Sequence, residues 1–350
     1  MDDAGKLPRR ARRWIRRRAQ RANARAVILT YHRVSDHAAD PQLLCVRPER
    51  FGEHLAVLAR YGNLATIGDL AGGFSGAQRK PPPLVLTFDD GYSDVLRQAH
   101  PALERHGIPA TVYVTSGMVG SAREFWWDDL ERIFLLPGHL PKVPTLEVGG
   151  EARRFELGAD SEYPDAARER DQDWNVLLEG DPTARHHLYR EVFALLKPLP
   201  AETRNRTISS LQDWAEVPET GRETYRILTE PELIDLSRAG GMTIGAHSET
   251  HAALSALPRE SAAGEITRSK SQLEGVLGLP VDHFAYPFGG PDSVDPSTAE
   301  LVASAGFRTA CTTRPSPVRE RDNLLLLPRL TVRDWDGKTF ERFLRERVFW

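Results

Sequence analysis

The sequence predicts an α/β fold, and three observations carry that prediction. Short runs of apolar and β-branched residues alternate with segments whose apolar positions repeat at helical spacing. This alternation fills residues 26–117 and returns from Thr229 onward. A charged, Trp-rich and mostly helix-like segment at about 118–228 interrupts it. Strand–helix–strand alternation favours parallel pairing, and 350 residues suffice for one large domain with an insertion.

The first block is predicted to hold three strands and two helices. Its strands are continuous apolar runs, as expected of strands buried on both faces, and its helices carry apolar residues three and four positions apart. A run of three prolines at 81–83 ends the loop before the second strand. The strands are 26–31, 84–88 and 110–114, and the helices are 50–61 and 96–106.

The insertion and the last block follow the same rules. Thr229, followed by Glu230-Pro231-Glu232, has the composition of a helix N-cap with Pro in the first turn. The helices predicted inside the insertion are 125–136, 184–196 and 206–216. After it we predict strands at 242–245, 283–286, 307–311 and 324–332, alternating with helices that begin near 229, 261 and 297.

The net charge of −3 conceals an uneven distribution. Residues 6–25 hold ten of the 46 basic side chains and no acidic one, which leaves 36 basic against 49 acidic residues, a net −13, elsewhere. We therefore separate a basic N-terminal arm (1–25) from a body (26–350). No apolar run is long enough for a transmembrane helix or a secretory signal. Two cysteines cannot form a disulfide framework or a zinc knuckle, so we expect a cytoplasmic protein.

Two adjacent carboxylates, Asp89 and Asp90, directly follow the second predicted strand and precede Gly91. Catalytic groups of α/β and barrel enzymes gather at this carboxyl-terminal edge of the strands. Neighbouring residues at a strand end point in different directions, so one carboxylate could bind a metal while the other acts as a base. A solvated Asp-Gly turn is the alternative.

His247 and His251 follow another short strand. Two imidazoles four residues apart on one face of a helical turn can bind one ion, although such a pair is often incidental. Because both motifs follow core strands, they should open on the same face of the sheet. Two histidines and one aspartate would leave an open ligand position, as catalytic zinc sites do.

Three motifs resemble, in order, those of the polysaccharide deacetylase family, the NodB-homology domain of carbohydrate esterase family 4. They are Thr87-Phe88-Asp89-Asp90-Gly91, His247-Ser248-x-x-His251 and Phe284-Ala285-Tyr286-Pro287-Phe288-Gly289. The resemblance covers roughly 26–117 and 229–335 and leaves the arm and the insertion outside. It implies a distorted (β/α)7 barrel. It also implies a hydrolase that removes N-acetyl groups from amino sugars with one divalent metal ion, usually Zn²⁺.

The resemblance assigns roles to individual residues. Asp90, His247 and His251 match its metal-ligand triad, and Asp89 matches its catalytic base. The backbone N–H of Tyr92 is expected to stabilise the tetrahedral oxyanion. The residues expected to shape the substrate groove are Tyr286, Pro287, Phe288 and Trp335.

Two departures from the family pattern need substitutes. Many members carry an arginine where this chain has Ala285, and Arg329, at the end of a late strand, could supply that charge; a surface arginine is the alternative. Many also carry a late histidine that protonates the leaving amine, yet none occurs here after His283. His32, after the first strand, is the best replacement, against a purely structural role. The remaining polar candidates, expected at the surface without a role, are His54, Asp94, His100, His106, His186 and His187.

Three functions therefore stay open: a carbohydrate N-deacetylase, a catalytically silent glycan-binding barrel, and an O-acetyl esterase or non-sugar amidase using the same site. Without an export signal we expect an intracellular acetamido-sugar substrate, in the form of a nucleotide sugar, a lipid-linked glycan or a glycoside. The 118–228 insertion would wall off the groove, which suits a small or chain-end substrate.

The basic arm is interpreted as a lipid-binding segment, because nothing in the acidic body favours nucleic acid. A Lys or Arg near an anionic lipid surface gains about 1 kcal/mol, and Trp14-Ile15 could enter the interface. We expect peripheral contact of residues 6–25 with the inner membrane face. A solvated tail is the alternative.

Overall fold

The structure is a computed structural model that describes residues 24–72, 81–136, 138–141, 145–148 and 151–349. Residues 1–23, which carry nearly all of the predicted basic arm, lie outside this part of the chain. The first strand starts at Ala24, two residues before the start of the predicted strand at 26–31. Within the described ranges, no helix has both the length and the apolar character needed to cross a bilayer.

In the part of the chain that the structure describes, fourteen strands and eleven α-helices follow one another. The strands are β1 Ala24–Tyr31, β2 Arg33–Val34, β3 Cys45–Val46, β4 Leu84–Phe88, β5 Ala110–Val114, β6 Gly138–His139, β7 Thr145–Val148, β8 Glu151–Arg154, β9 Glu162–Tyr163, β10 Met242–Ala246, β11 His283–Ala285, β12 Thr309–Cys311, β13 Val318–Arg319 and β14 Leu330–Thr331. The helices are α1 Pro48–Tyr61, α2 Ile67–Ala71, α3 His100–His106, α4 Trp126–Phe134, α5 Asp165–Asp171, α6 Ala184–Leu196, α7 Ala201–Ala215, α8 Glu230–Arg238, α9 Arg259–Leu277, α10 Pro296–Ser304 and α11 Gly337–Leu344.

The central sheet curls into a distorted seven-stranded parallel barrel. Its hydrogen-bonded order runs β12-β11-β10-β5-β4-β1, and β14 pairs in parallel with the other side of β1 at Leu29 and Leu330. A bridge between Cys311 and Leu327 joins β12 to the residues just before β14 and so closes the circuit. Pro328, which has no backbone N–H, interrupts this last strand. The predicted α/β class and barrel are confirmed, with β13 added as an antiparallel flap on β1.

Successive residues of the barrel strands face opposite sides, as strand geometry requires. On β1, Val27 and Leu29 belong to the cluster packed against the helices, whereas Ala26 and Ile28 belong to the smaller cluster inside the barrel. Burial on both faces explains why these strands are continuous apolar runs rather than alternating ones.

The helices that flank the strands begin where the sequence provides capping groups. The predicted N-cap at Thr229 is confirmed, because its hydroxyl accepts from the Glu232 N–H and the Glu232 carboxylate accepts from the Thr229 N–H. Asp295 and Thr298 form the same capping box at α10. These caps fix the residue at which each of the two helices begins.

The insertion is mainly helical and has a hydrophobic cluster of its own. Its helices α4 and α6 lie close to their predicted bounds, and α7 starts five residues earlier than predicted. Two short antiparallel pairs, β6 with β9 and β7 with β8, were not predicted. The cluster includes Trp126, Trp127 and Leu211 from these helices and also Tyr92 from the barrel, so the insertion shares buried surface with the domain that it interrupts.

Candidate metal centre and active-site cleft

The two carboxylates after β4 diverge because the chain turns sharply between them. Asp90 adopts a left-handed conformation with φ of 74°, and Gly91 follows at 88°. A Cβ on Gly91 would lie 3.0 Å from Cγ1 of Val114, so only glycine fits this turn without displacement. Both carboxylates are about 98% buried. The turn directs Asp90 toward the histidines after β10 and Asp89 toward Arg329, the residue directly before β14.

His247 and His251 converge on Asp90, but not through the predicted helical turn. The loop after β10 is irregular, and Ser248 and His251 have positive φ values of 60° and 54°. Each such non-glycine conformation costs roughly 1–2 kcal/mol and persists only when neighbouring groups enforce it. The His247 and His251 Nε2 atoms lie 3.5 and 3.3 Å from Asp90 Oδ1. The two imidazoles therefore converge because of the positive-φ conformation of this loop and not because of helical periodicity.

These three side chains fit a metal ion. Ligands bound tetrahedrally to zinc at about 2.0–2.1 Å lie about 3.3 Å apart, close to the separations from Asp90 to the two imidazoles. Asp90 Oδ1 is buried and has no hydrogen-bond partner among the described groups, so a cation would satisfy it. His247 Nδ1 lies 2.7 Å from the Ala285 carbonyl, a contact that requires Nδ1 to be the donor and leaves the Nε2 lone pair facing the cluster.

The charge states of Asp90 and His251 suit metal ligands, whereas burial would lower the pKa of His247 but the Asp89 and Asp90 carboxylates outweigh it and raise that pKa. Burial alone would raise the pKa of Asp90, but the adjacent imidazoles of His247 and His251 outweigh it and hold that pKa below its usual range. Burial lowers the pKa of His251 to about 4, which keeps that imidazole neutral near pH 7. An ionised carboxylate and a neutral imidazole are the forms that bind divalent metals.

Asp89 is held by Arg329 in a bidentate ion pair. The Arg329 Nη1 and Nη2 atoms donate to the two Asp89 oxygens, each at 2.7 Å, while Nε donates to the Thr312 carbonyl at 3.1 Å. Arg329 is fully buried, so of the two interpretations offered by the sequence the surface arginine is wrong. Burial would raise the pKa of Asp89, but the guanidinium charge overcomes it and lowers that pKa. Asp89 therefore stays ionised beside the Asp90–His247–His251 cluster.

His32 follows β1 and faces the same site. Its Nε2 atom lies 4.0 Å from Asp89 Oδ2, too far for a direct hydrogen bond, and its side chain keeps 18% exposure toward the cleft. Burial lowers the pKa of His32, although Asp90 and Asp89 act in the opposite direction. Among the described titratable side chains that line the cleft, His32 is the only one that belongs neither to the Asp90–His247–His251 cluster nor to the Asp89–Arg329 pair.

The cleft above these groups encloses about 450 Å³ including its open mouth, within the range of small-molecule sites. The insertion supplies Trp127 and Phe193 to its wall, and the barrel loops supply Phe288. The Trp127 and Phe288 rings approach the His251 ring edge-on at 4.6 and 4.7 Å between centroids. The remaining lining residues are His32, Gln42, Leu44, Asp89, Asp90, His247, His251 and Thr313.

Of the predicted groove residues, Phe288 alone lines the cleft. Tyr286 is buried with its hydroxyl donated to the Leu325 carbonyl at 2.9 Å, and Pro287 is buried beside it. Trp335 lies elsewhere, half-buried against Phe343 with 4.7 Å between ring centroids.

Tyr92 contributes its backbone rather than its ring. The ring is fully buried, and its hydroxyl donates to Asp128 Oδ2 at 2.6 Å and accepts from Trp127 Nε1 at 3.0 Å. Tyr92 and Ile227 form a bridge in which the flanking residues make the hydrogen bonds. In such a pair the Tyr92 N–H points away from Ile227 and is not used by it. This N–H stays a candidate for the predicted oxyanion contact.

Three residues that the sequence predicted at the surface are buried. Asp94 accepts from Arg33 Nε at 2.8 Å and from the Val34 N–H at 3.0 Å. His54 is fully buried, with Nε2 2.8 Å from the Trp335 carbonyl. His186 is 2% exposed and packs edge-on against Trp174. Each contacts a residue that is near in space but separated along the chain, which the sequence pattern does not reveal. None of the three lines the cleft.

Sequence reasoning missed the residues that give the cleft its walls. Gln42 and Leu44 lie in a loop whose Pro41 carbonyl accepts from the Val176 N–H of the insertion at 2.9 Å. Gln42 Nε2 also donates to the Tyr189 hydroxyl at 2.7 Å. The Phe-Trp-Trp run at 125–127 was the one available signal, because such an aromatic cluster is unusual in a charged segment.

Comparison with known protein families matches two regions that overlap those indicated by the motifs but leave out residues 26–75 and 311–335. The family model described as polysaccharide deacetylase matches residues 76–138 and 208–310. Among curated proteins, the polysaccharide deacetylase homologue YxkH of Bacillus subtilis is 29% identical over 99 residues. That alignment covers 28% of this chain and 34% of YxkH, so the match spans about a third of the relative's length.

Solved structures agree over most of the chain. The deacetylase PplD of Streptococcus pyogenes, solved in complex with acetate, superposes with a TM-score of 0.55 at 15% identity and covers 91% of this chain and 98% of its own. IcaB of Ammonifex degensii gives 0.54 at 18% identity, with coverages of 91% and 97%. A polysaccharide deacetylase of Bacillus cereus gives 0.53 at 17% identity, with coverages of 91% and 69%. At these identities the likeness establishes the fold.

Proposed function

We propose that the chain belongs to the polysaccharide deacetylase family, whose model matches residues 76–138 and 208–310, and that it is a metal-dependent hydrolase that removes an N-acetyl group from an amino sugar. The observation that carries the proposal is the buried Asp90–His247–His251 cluster beside an Asp89 carboxylate that Arg329 keeps ionised. A ligand cluster next to a separate, oriented base is the arrangement that metal-assisted hydrolysis requires.

The residues divide the reaction between them. A divalent ion held by Asp90, His247 and His251, most simply Zn²⁺, would supply Lewis-acid polarisation and acidify the attacking water. Asp89 takes the proton from that water, and Arg329 fixes the orientation of the carboxylate through both of its oxygens. The Tyr92 N–H would donate to the oxygen on which negative charge develops.

His32 is the proposed proton donor to the leaving amine. It faces the cleft at 4.0 Å from Asp89, close enough for one proton to reach it by a small movement or through a bridging water. Its neutral resting form suits this order of events, because it must receive a proton before it gives one up. Its position directly after β1, facing the cleft, would let it replace the late histidine that this chain lacks.

The cleft supports a small or chain-end acetamido sugar rather than the interior of a long polymer. Trp127 and Phe193 of the insertion line the cleft together with Gln42, Leu44, Phe288 and Thr313, so the space around the ligand cluster is walled by both regions of the chain. Lys197, at the end of α6, pairs with Asp292 at 2.6 Å and so ties the insertion to the loop that carries Phe288. Nucleotide sugars, lipid-linked glycans and glycosides are the three substrate classes that we propose.

The basic arm leads to a separate proposal about location, namely that residues 6–25 bind anionic lipid headgroups at the inner membrane face. Sedimentation with anionic vesicles should require residues 1–23, whereas acetyl release should not. If the full-length protein does not sediment with such vesicles, the arm is a solvated tail.

A mass-spectrometric screen for loss of acetyl tests the catalytic proposal. The purified chain is incubated with zinc and with N-acetylated nucleotide sugars, glycosides, chitooligosaccharides and O-acetylated sugars, and Asp89→Asn is the matched control. We expect acetate from short N-acetylated substrates only. Release from O-acetylated sugars alone would indicate an esterase, and no release from any substrate would favour a silent glycan-binding barrel.

A further inference from the structure

Arg204, on α7 of the insertion, is a buried arginine without a carboxylate in hydrogen-bond contact. It is 2% exposed, and its Nη2 donates to the Thr250 carbonyl at 2.7 Å. Its Nε and Nη1 atoms have no hydrogen-bond partner among the described groups, and its guanidinium lies 5.6 Å from the centroid of the Trp126 ring. Burial lowers the pKa of Arg204 to about 10, so it remains charged at neutral pH. A buried charge with unsatisfied donors is costly, which calls for a functional explanation.

Thr250, which Arg204 contacts, is also hydrogen-bonded to Glu265. Glu265 of α9 accepts from the Thr250 N–H at 2.8 Å and from the Thr250 hydroxyl at 2.7 Å. The Glu265 backbone carbonyl accepts from the Glu249 N–H at 3.1 Å. Thr250 is thus hydrogen-bonded both to a guanidinium from the insertion and to a carboxylate from the barrel.

Thr250 directly precedes His251, within the loop that needs such support. Ser248 and His251 both adopt positive φ, a conformation that side-chain-bearing residues keep only when their surroundings enforce it. The Trp127 and Phe288 rings hold the imidazole of His251, but they do not bond to its backbone. The contact from Arg204 to the Thr250 carbonyl fixes the peptide before His251, whereas the N–H of the peptide after it, that of Ala252, donates to Ser248 Oγ at 3.3 Å.

We propose that Arg204 is a positioning residue that, with Glu265, clamps Thr250 and sets His251 in place for metal binding. The insertion is then part of the metal centre and not only a wall of the cleft. This inference rests on the metal cluster of the proposed function, but it concerns the affinity for the ion and not the identity of the substrate.

Zinc affinity of the metal-free full chain tests the inference without any substrate. The chain competes for Zn²⁺ with a chromophoric chelator, and the visible spectrum of its Co²⁺ form reports ligand geometry. Loss of a group that supports a metal ligand typically weakens binding 10- to 100-fold. We expect Arg204→Gln to weaken zinc binding by that factor and to change the Co²⁺ spectrum. Arg204→Lys, which can still donate to the Thr250 carbonyl, should recover most of the affinity.

Arg206 provides the matched control on the same helix. It is exposed and pairs with Glu202 at 2.9 Å, so Arg206→Gln should leave zinc affinity and the Co²⁺ spectrum unchanged. If Arg204→Gln does not fold, Glu265→Gln tests the other half of the clamp and should weaken zinc binding in the same way.

The outcomes separate this inference from the proposed function. Zinc affinity within threefold of the parent in the folded Arg204→Gln chain, or in Glu265→Gln where that chain replaces it, overturns the clamp and leaves the deacetylase proposal standing. A parent chain that binds zinc with the expected dependence on Arg204, yet releases no acetyl group, overturns the deacetylase proposal and supports the clamp.

Discussion

The barrel and the insertion contribute different things to one site. The barrel provides the reactive groups, Asp89, Asp90, His247 and His251, each directly after a parallel strand or in the loop that follows it. The insertion provides apolar surface through Trp127 and Phe193. Chemistry is therefore set by strand ends, whose position is fixed by the sheet, while the shape of the cleft is set by a segment added between strands.

The two regions are not independent bodies. Tyr92, from the loop after β4, lies in the hydrophobic cluster of the insertion, and its hydroxyl joins Trp127 to Asp128. Arg33 extends this interface, since its guanidinium lies 4.2 Å from the centroid of the Tyr92 ring and 4.6 Å from that of Tyr225 in the insertion. A wall fixed by buried hydrogen bonds is a permanent part of the site rather than a mobile lid.

Removing a metal ligand should have the largest effect, and it should arise wholly within the barrel. Asp90→Ala and His247→Ala each delete one of three ligands, so we expect loss of stoichiometric zinc and of detectable acetyl release. Metal analysis of the purified variants measures this, with the exposed Asp235→Ala of α8 as control. Full retention of zinc in either variant would contradict the ligand assignment.

His32→Ala should lower turnover next most strongly while leaving the metal in place. Removal of a general acid typically costs 10²–10⁴-fold, and His32 is not part of the ligand cluster. Steady-state kinetics and zinc content, measured together, test this. His106→Ala, which alters an exposed histidine at the end of α3, is the control. Unchanged turnover would remove His32 from the mechanism.

The barrel should also lose stability in mild acid through His54. Burial lowers the pKa of His54 to about 4, below its ordinary value near 6.5. The unfolded chain therefore takes up this proton first, so the contribution is present above pH 6.5 and is lost as pH falls toward 4. Between pH 7.5 and 5 the loss is about 2 kcal/mol. Other buried groups such as His251 and His283 also contribute to the pH dependence, so the measured quantity is the difference between the parent chain and His54→Gln: urea unfolding at both pH values should show a change about 2 kcal/mol smaller in His54→Gln.

Truncating the wall should have the smallest effect and should change binding more than chemistry. Phe193→Ala removes apolar surface from the cleft, for which we expect a roughly tenfold higher KM for short substrates and a nearly unchanged kcat. Leu195→Ala, on the same helix but away from the cleft, is the control. A large fall in kcat with KM unchanged would mean that the insertion takes part in the reaction itself.

The sequence allowed more of the barrel to be predicted than of the insertion, for a physical reason. The strands, the residues after them and the cap at Thr229 are local features, which hydrophobic runs and capping groups record directly. The convergence of His247 and His251 was predicted, but through a helical turn, because a positive φ at Ser248 leaves no mark in the pattern.

Contacts between distant segments were the part that could not be predicted. Arg204 and Thr250 are 46 residues apart, and their hydrogen bond depends on how the insertion packs against the loop after β10. The burial of Asp94 likewise depends on Arg33, 61 residues earlier. Arg329 was predicted as a partner of the site only because the family resemblance left a positive charge to be supplied.

The pair formed by Asp89 and Arg329 joins residues 240 positions apart in the chain. Synthesis proceeds from the N-terminus at about 5–20 residues per second, so every other group of the site exists before the arginine that orients the base. The three candidate ligands all lie before residue 252, whereas the orientation of Asp89 depends on an arginine that directly precedes the last strand of the barrel. The order of synthesis thus separates the group that orients the base from the groups that could hold the metal.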